Sequence, residues 1–342
     1  MPNIPLIGKT QSELQSLVKE VGAPAFTAGQ IATWLYKKKV SSIDEMTDIS
    51  LLIRDKLKKT YEVGRLPYAG LQKSIDGTLK YLFPVSGNKY VETVYIPDKE
   101  RATLCVSTQV GCKMNCRFCM TGKQGFIAQL SPAEIMNQIL SIPGSGDLTN
   151  LVFMGMGEPF DNIEALFKSL EILTSGYGFD WSPKRITVST IGLIPGLKRF
   201  LEESRCHLAV SIHSPFSGER LSLMPAEKAY PIEKVTELLK QYDFSHQRRV
   251  SFEYILFGGL NDDLKHAQAL ARLLRGLPSR VNLIKYHAIP GVDLPETRPE
   301  TMIPFRDYLS SKGIISTIRA SRGEDILAAC GMLTTKNDCG FS

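Results

Sequence analysis

The sequence predicts an α/β fold: a partial (β/α)6 barrel preceded by a small N-terminal helical domain and a short antiparallel β segment. From residue 103 onward, short apolar runs alternate with helix-length amphipathic segments, as in parallel strands joined by right-handed helical crossovers. Six or seven such units are too few for a complete eight-stranded barrel. Strands are expected at 103–107, 150–154, 185–189, 207–212, 250–256, 281–286 and 314–319. Helices are expected near 131–141, 163–174, 194–203, 231–242, 263–275 and 301–312.

The helical domain is expected to span residues 1–65 and to contain three short helices. Thr10-Gln11-Ser12-Glu13 has the pattern of a capping box at the start of the first helix, and Gly22 can end that helix. The second helix is predicted at about 30–38 and the third at about 50–61. Because basic residues cluster in this domain, two interpretations stay open, a packing appendage or an RNA-binding surface.

The antiparallel segment is expected at residues 66–100, where the apolar pattern changes to a period of two. Asp76-Gly77 is a tight-turn signal, and 79–83 and 90–95 have the pattern of hairpin strands. The core is then expected to cover 101–342, including a C-terminal loop with Cys330.

The composition is that of a globular protein, because 43% of the 342 residues are hydrophobic and 22% are charged. No apolar run approaches the roughly 20 residues of a membrane span, so we expect a cytoplasmic protein with no membrane partner. The seven cysteines suit a reducing compartment better than a disulfide framework. A net charge of +6 does not by itself indicate nucleic acid, and the basic clusters include 37–39, 56–65 and Arg248-Arg249.

Three cysteines lie close together in the segment 111–119, at Cys112, Cys116 and Cys119; we call this segment the cysteine loop. A loop this short can turn three thiolates toward one point, which suits a [4Fe–4S] cluster with one iron left open. The spacing matches that of radical S-adenosylmethionine (SAM) enzymes, in which the open iron binds SAM. A structural zinc site needs four ligands, and no second cysteine pair or paired histidines are visible. The three cysteines are therefore the predicted metal ligands.

Small and polar residues follow the next predicted strands, where a barrel presents the carboxyl ends of its strands at one mouth. Gly157 lets the backbone approach a ligand, and Glu158 can accept a hydrogen bond from an ammonium group. The other candidate cofactor contacts are Ser189, Ser211, Ile212, His213 and His287. A lone histidine has many structural uses, so a structural role for His213 stays open.

Four cysteines lie outside the cysteine loop. Cys105 lies in the first predicted barrel strand, and composition favours an inert buried role for it. Cys330 follows the last strand in a glycine-containing acidic loop, which is a poor place for a core residue and makes Cys330 a functional candidate. Cys206 and Cys339 have no such context and are interpreted as structural or incidental.

Several separate motifs, in the right order, resemble the RlmN family of bacterial adenine-C2 RNA methyltransferases. The resemblance covers nearly the whole chain and includes the helical domain, where Phe26 and residues 30–36 fit the family pattern. The motifs of the core and its lead-in are 91–97, 111–119, 153–159, 188–190 and 328–331.

The resemblance implies a reaction that the spacing of the residues alone does not predict. Members of the family methylate C2 of an adenosine in 23S rRNA and of the adenosine beside the anticodon in certain tRNAs. One SAM methylates the cysteine that matches Cys330. A second SAM, on the cluster, yields a 5′-deoxyadenosyl radical that activates this methyl group for addition to C2. The resemblance therefore implies a [4Fe–4S] cluster and two SAM molecules per turnover.

The same resemblance implies roles for further residues. Glu92 matches the proton acceptor, and Cys105 matches the thiol that attacks Cys330 to release the RNA, which leaves a transient disulfide between the two. The residues that match SAM contacts are Gly157, Glu158, Ser189, Ser211 and His213. The target base has to be extruded, and the basic helical domain becomes a candidate contact for RNA phosphates.

The chain also departs from the family pattern. His287 stands where familiar members have Asn, and Met332 replaces a common Gln. Residues 214–220 are closer to the sister family Cfr, which methylates C8 of the same rRNA adenosine, so C8 methylation is an alternative. A non-catalytic, cysteine-rich RNA-binding protein is the alternative from another class. A reductant such as flavodoxin or ferredoxin is expected as a partner, and the chain is expected to be a monomer.

Overall fold

The structure is a computed structural model that describes residues 3–244 and 250–335. A ten-stranded sheet forms its centre. Helices pack against this sheet, and one hydrophobic core extends from the N-terminal helices to the last strand. The predicted basic pair Arg248-Arg249 and the predicted structural residue Cys339 lie outside the described residues.

The N-terminal part contains three helices and a pair of very short parallel strands. The elements are β1 (Ile4–Pro5), α1 (Gln11–Glu20), α2 (Thr27–Ala32), α3 (Leu51–Lys58) and β2 (Tyr61–Glu62). The predicted capping box of α1 is confirmed, because Glu13 Oε2 accepts a hydrogen bond of 2.9 Å from the Thr10 amide. The second helix begins earlier than predicted and continues as a π-helical turn, Thr33–Lys37.

The main sheet combines antiparallel and parallel strands. In chain order, the remaining strands are β3 (Gly70–Lys73), β4 (Leu79–Val85), β5 (Lys89–Asp98), β6 (Arg101–Cys105), β7 (Gln109–Val110), β8 (Ala128–Gln129), β9 (Asn150–Phe153), β10 (Ile186–Thr190), β11 (His207–Ser211), β12 (Val250–Leu256), β13 (Ser279–Lys285) and β14 (Ile315–Ile318). Strands β7 and β8 pair only with each other. The order in the main sheet is β14-β13-β12-β11-β10-β9-β6-β5-β4-β3.

Seven of these strands, β6 and β9 to β14, run parallel, and helices connect them in sequence. The remaining helices are α4 (Met120–Gln124), α5 (Pro132–Leu140), α6 (Ile163–Thr174), α7 (Ile194–Glu203), α8 (Ser217–Leu223), α9 (Ile232–Leu239), α10 (Leu264–Leu273) and α11 (Pro299–Ser311). Since α5, α6, α7, α9, α10 and α11 each cross between neighbouring parallel strands, the predicted α/β fold class is confirmed.

The antiparallel segment is part of the same sheet. Strand β5 pairs with β4 on one side and with β6 on the other, and β3 adds a third antiparallel strand that the sequence did not predict. Strand register places Lys80, Glu92, Val94 and Cys105 on one face, because Lys80 and Cys105 both lie opposite Val94 and Glu92 precedes Val94 by two residues.

The N-terminal part packs against α5. A Cβ at Gly8 would lie 2.4 Å from the Ala133 backbone nitrogen, so only glycine allows this close approach. Arg65 donates a hydrogen bond of 2.8 Å to the Leu140 carbonyl oxygen, and Lys39 donates one of 2.6 Å to Ser145. Lys39 and Arg65 therefore hold the N-terminal part against the rest of the fold. This is what a packing appendage, one of the two interpretations left open by the sequence, would require. Lys37 and Lys38 remain exposed.

Among residues 3–244 and 250–335, no helix combines the length and apolar character that crossing a bilayer requires.

Candidate active site

The carboxyl ends of the parallel strands surround one cavity. Parallel strands bring their carboxyl ends to the same edge, which explains why residues far apart in sequence meet here. The predicted site residues on its wall are Cys112, Cys116, Cys119, Gly157, Glu158, Ser189, Ser211, His213 and Cys330.

The cysteine loop alternates between this cavity and solvent. Cys112 and Cys116 are buried on the cavity wall, and Cys119 is half-buried there. Lys113 and Arg117 point outward and are exposed. The loop therefore presents its thiols inward and its positive charges outward.

A glycine at each side fixes the path of the cysteine loop. Gly111 has a φ of 73°, and a Cβ there would come within 1.7 Å of the Gly125 carbonyl oxygen. A Cβ at Gly122 would lie 3.0 Å from the Cys116 amide nitrogen. Larger residues would force the backbone apart, so the close packing that holds the thiols depends on these glycines.

The donor set fits an iron–sulfur cluster better than a single metal ion. Burial raises the pKa of Cys112 to about 12, and burial together with repulsion from the other two thiols raises the pKa of Cys116. Metal binding would displace these protons. Within the described ranges, no three His, Cys, Asp or Glu side chains are arranged to hold one ion. Three thiols on one wall of an open cavity suit a larger [4Fe–4S] group with one iron facing the cavity.

Glu158 is buried on the cavity wall and is held by two backbone amides. Its Oε1 accepts a hydrogen bond of 3.1 Å from the Phe160 amide, and its Oε2 accepts one of 3.0 Å from the Ile191 amide. Burial raises its pKa to about 7, although these donors favour the carboxylate. Glu158 has no cationic partner in the hydrogen bonds and ion pairs of the described residues, so a ligand ammonium group would be a favourable one.

His213 combines a structural contact with a place on the cavity wall. Its Nδ1 accepts a hydrogen bond of 3.0 Å from the Ile255 amide, and its ring lies edge-on to Phe118 with centroids 4.7 Å apart. Burial and the nearby Arg220 lower its pKa to about 3, so the imidazole is neutral. His213 therefore makes a structural contact and also lines the cavity, and its contact with a cofactor stays a prediction.

Two predicted cofactor contacts, Ile212 and His287, are not on the cavity wall. The Ile212 side chain is buried in the hydrophobic core, because neighbouring residues of an extended segment point to opposite faces. His287 bonds Ser321, with Nε2 2.7 Å from Oγ, and its Nδ1 lies 3.1 Å from Glu324 Oε1. It therefore contacts the segment that precedes Cys330.

Residues 320–335, which include Cys330 and the two residues beside His287, are called the Cys330 loop. Cys330 is exposed, and it lines the cavity together with Gly331. Helix α4, directly after the cysteine loop, holds the Cys330 loop in place: the Met120 amide donates to the Gly331 carbonyl (2.7 Å), and Thr121 Oγ1 donates to the Leu333 carbonyl (2.6 Å). These bonds hold Cys330 beside the three cluster cysteines.

Met332, one of the departures from the family pattern, has a packing role. It is buried in a small apolar cluster with Ile289 and Ala329, and the partly buried Met120 packs against the same cluster. This apolar contact fastens the Cys330 loop to α4.

Cys105 and Cys330 lie close enough to interact, with Arg319 beside both. Burial raises the pKa of Cys105 to about 12, and the Cys330 thiol contributes to the rise. The pKa of Arg319 is raised, first by Cys330 and also by Cys105. Both cysteines are free thiols, so the implied disulfide is not present in this structure.

Glu92 is fully buried and is not on the cavity wall. Its Oε2 accepts a hydrogen bond of 2.9 Å from the Thr334 amide of the Cys330 loop. Its Oε1 lies 3.0 Å from Lys80 Nζ. The implied proton acceptor is therefore covered by the loop that carries Cys330.

Sequence reasoning missed three basic residues around the site: Lys80, Arg220 and Arg319. Arg220 is fully buried and donates hydrogen bonds to the carbonyl oxygens of Ile191 and Ser211, at the ends of two cavity strands. Lys80 could have been found from the alternating pattern of β4, because a lysine at a buried strand position is unusual and indicates a paired charge. Arg220 and Arg319 gave no comparable signal.

Comparisons with known proteins agree with this site. A family model described as the radical SAM superfamily matches residues 106–271, and one described as the ribosomal RNA large subunit methyltransferase N-terminal domain matches residues 4–63. The probable dual-specificity RNA methyltransferase RlmN of Bacteroides fragilis is 62% identical over 335 residues, which cover 98% of this chain and 97% of that protein. The chain belongs to the RlmN family.

A further RlmN relative and the solved structure of a radical SAM methyltransferase also match the chain. The probable RlmN of Parabacteroides distasonis is 62% identical over 336 residues and covers 98% of both chains. The crystal structure of a radical SAM methyltransferase from Sphaerobacter thermophilus superposes with a TM-score of 0.91 at 38% identity, covering 97% of this chain and 99% of that one. The chain is thus a radical SAM RNA methyltransferase, and its superfamily implies a [4Fe–4S] cluster and SAM.

Proposed function

We propose that this enzyme methylates C2 of an adenosine in 23S rRNA and C2 of the adenosine beside the anticodon in tRNAs, through S-methylation of Cys330. The observation that carries the proposal is that Cys330, Glu158 and the three cluster cysteines line one cavity. A cofactor held by the cluster cysteines and Glu158 would therefore adjoin the thiol that carries the methyl group.

The cluster and SAM would supply the radical that activates the methyl group, and the protein supplies binding and orientation. Cys112, Cys116 and Cys119 would hold the iron. Glu158 would accept hydrogen bonds from the SAM ammonium group, and Ser189 and Ser211 offer hydroxyls on the same wall. Two SAM molecules would be used per turnover, one for the thiol of Cys330 and one for its activation.

Cys330 would carry the methyl carbon to the base and become covalently linked to RNA. Glu92 would accept the proton from C2. The Cys105 thiolate would then attack the Cys330 sulfur, so that an S–S bond forms, the bond between the Cys330 sulfur and the methylene carbon breaks, and this carbon takes up a proton to become the methyl group of the product. Burial raises the pKa of Cys105, and the Cys330 thiol adds to the rise, which fits two thiols that lie near each other. The resulting disulfide would exist only until it is reduced.

The adenosine would have to be extruded from its stack to enter the cavity. The N-terminal residues 1–65 are proposed to bind RNA phosphates through exposed basic side chains such as Lys37 and Lys38. The matched family model, described as the N-terminal domain of a large-subunit rRNA methyltransferase, supports this assignment.

A protein reductant, such as flavodoxin or ferredoxin, is proposed to donate the electrons. The outward side of the cysteine loop carries the exposed residues Lys113 and Arg117. Weak electron-transfer encounters use small, charge-complementary surfaces of this kind.

Nucleoside mass spectrometry tests the proposal. Cluster-loaded protein is incubated with SAM, a reductant and either a 23S rRNA fragment or tRNA, and the RNA is digested. We expect 2-methyladenosine from the wild-type chain and from Cys206→Ala, because Cys206 is buried away from the cavity, and none from Cys330→Ala. A product of 8-methyladenosine would instead establish the Cfr reaction, and SAM cleavage without methylated RNA would overturn the proposal.

A further inference from the structure

A buried ion pair lies beneath the Cys330 loop. Lys80 Nζ is 3.0 Å from Glu92 Oε1, and both side chains are 1% exposed. Buried charges are rare unless they are paired, and a lysine rarely occupies a fully buried strand position. Strand register, described above, puts this pair on the same face as Cys105. The pair therefore belongs to the layer on which the Cys330 loop rests.

Each member of the pair contacts the Cys330 loop on one side of Cys330. Glu92 Oε2 accepts the Thr334 amide at 2.9 Å, and Lys80 Nζ lies 3.5 Å from the Leu327 carbonyl oxygen. Cys330 lies between these two anchor points. One charge pair thus contacts the loop on both sides of the thiol.

The charge on Glu92 depends on Lys80. Burial raises the pKa of Glu92, and the Lys80 ammonium opposes this effect. From the other directions Glu92 meets the Thr334 amide, with Cys105 on the same sheet face. Without Lys80, a buried carboxylate would have no cation beside it and would take up a proton.

We propose that Lys80 is a positioning residue that keeps Glu92 as a carboxylate, oriented toward the base to which Cys330 carries the methyl carbon. This inference rests on the proposed function, because only a carboxylate can accept the C2 proton. In that step the C2–H bond of the radical adduct breaks, its proton passes to the Glu92 carboxylate, which becomes a neutral carboxylic acid, and the electron pair of the bond stays with the base. The unpaired electron of the adduct would pass to a one-electron acceptor such as the oxidised iron–sulfur cluster. Lys80 acts on this step through Glu92 and does not touch the RNA.

The Thr334 contact adds a requirement for the loop. In this structure the Thr334 amide occupies Glu92 Oε2, and the loop covers the carboxylate. Displacement of the Cys330 loop toward the base would release Oε2 at the same time. Lys80 then holds the carboxylate at its Oε1 while Oε2 becomes available for the proton.

The first test compares Lys80→Met with Lys80→Arg, which retains the cation. After reaction with SAM, reductant and RNA, the fraction of protein linked to RNA is measured on denaturing gels from pH 6.5 to 9. We expect Lys80→Met to accumulate linked RNA and to release it at least tenfold more slowly at pH 7. The ratio of its release rate to that of the wild-type chain should recover as the pH rises, because a carboxyl group with a raised pKa ionises only at higher pH; the ratio removes the pH dependence that both chains share through Cys105. Lys80→Arg should resemble the wild-type chain.

A merely structural role predicts a different pattern for Lys80→Met: a loss of product at every pH, with no accumulation of linked RNA. That result would overturn the inference. Cys105→Ala serves as the reference, since it should trap linked RNA whatever Lys80 does. If Cys105→Ala traps none, the proposed covalent route itself fails, whereas trapping in Cys105→Ala but not in Lys80→Met rejects only the role of Lys80.

A second variant covers the case in which Lys80→Met fails to fold. Lys80→Met/Glu92→Gln removes both charges and leaves no unpaired ion in the interior. If Lys80 acts through Glu92, this double variant should release RNA no more slowly than Glu92→Gln alone, within twofold. A further tenfold loss in the double variant would show an independent role of Lys80 and would reject the inference.

Discussion

His287 and Ser321 are joined by a hydrogen bond of 2.7 Å between Nε2 and Oγ, which ties the end of β13 to the Cys330 loop. The SAM contact suggested by the sequence for His287 stays a prediction; in the structure its ring lies beside Ser321 and Glu324 and is not on the cavity wall. A role in SAM binding and a role in holding the Cys330 loop can be separated by experiment.

His287→Ala should loosen the Cys330 loop and leave SAM binding unchanged. Losing one buried hydrogen bond costs about 0.5–1.5 kcal/mol, which corresponds to roughly 2–12-fold faster amide exchange in residues 320–335. Hydrogen–deuterium exchange measures the loop, and equilibrium dialysis measures SAM affinity. His266→Ala, at a buried histidine bound to Asp263 and Glu219, is the matched control and should leave the loop unchanged. Weaker SAM binding with unchanged exchange in His287→Ala would restore the contact suggested by the sequence.

SAM affinity should depend on pH through Glu158. Its pKa is raised to about 7 by burial, so the carboxylate that an ammonium group needs is lost as the pH falls below 7. We expect the affinity of cluster-loaded protein to fall about fivefold from pH 7 to pH 6, as the ionised fraction of Glu158 drops from about one half to about one tenth, and to level off above pH 8. Equilibrium dialysis across this range measures the profile.

Glu158→Gln separates this effect from other titrations. The variant should bind SAM roughly 10–100-fold more weakly at pH 8, because it loses a charge-assisted hydrogen bond, and its affinity should vary little between pH 6 and 8. Glu164→Gln, at an exposed glutamate paired with Arg199, should keep the wild-type profile. A pH profile in Glu158→Gln as steep as that of the wild-type chain would contradict the assignment.

Cys105→Ala should leave the protein attached to RNA. If Cys105 attacks the Cys330 sulfur, its removal blocks release but not addition, so linked RNA should survive denaturation and be visible by gel shift and mass spectrometry. Cys206→Ala should show no trapped RNA, since Cys206 is a buried core residue elsewhere in the fold. Normal turnover by Cys105→Ala would rule out this role.

Release by the wild-type enzyme should also accelerate with pH. The pKa of Cys105 is raised to about 12, first by burial, so only a small fraction is thiolate near neutrality and that fraction grows about tenfold per pH unit. Single-turnover release, followed from pH 7 to 9, should show this rise. A flat profile would mean that formation of the thiolate does not limit release.

Much of the site was predictable from the sequence because strand ends determine it. Cys112, Glu158, Ser189 and Ser211 follow or end parallel strands, and parallel strands share one carboxyl edge. The burial of Ile212 away from the cavity could have been predicted as well, since neighbouring residues of an extended segment point to opposite faces.

The rest depends on where long side chains and loops turn after the strands end. The ion pair of Lys80 and Glu92 requires the register between β4 and β5, which the alternating pattern alone does not determine. The orientation of His287 and the contact of Arg319 with the two thiols depend on the path of the Cys330 loop. No spacing rule gives such a path, because loops are set by tertiary contacts.

A final prediction concerns how the N-terminal part is attached. Gly8 has a φ of +81°, and a Cβ there would lie 2.4 Å from the Ala133 backbone nitrogen. Gly8→Ala should therefore lower the free energy of unfolding by about 2–3 kcal/mol, because neither the backbone conformation nor the contact with α5 tolerates a side chain.

Gly29→Ala is the matched control for this change. Gly29 lies in α2, and a Cβ there would meet nothing within 4 Å. The same substitution should thus stabilise the chain by up to about 1 kcal/mol, since alanine favours helix more than glycine does. Thermal unfolding should move in opposite directions for the two variants, and equal shifts would mean that Gly8 does not fix the contact. If residues 1–65 bind RNA from a fixed position on α5, Gly8→Ala should also weaken RNA binding, whereas Gly29→Ala should not.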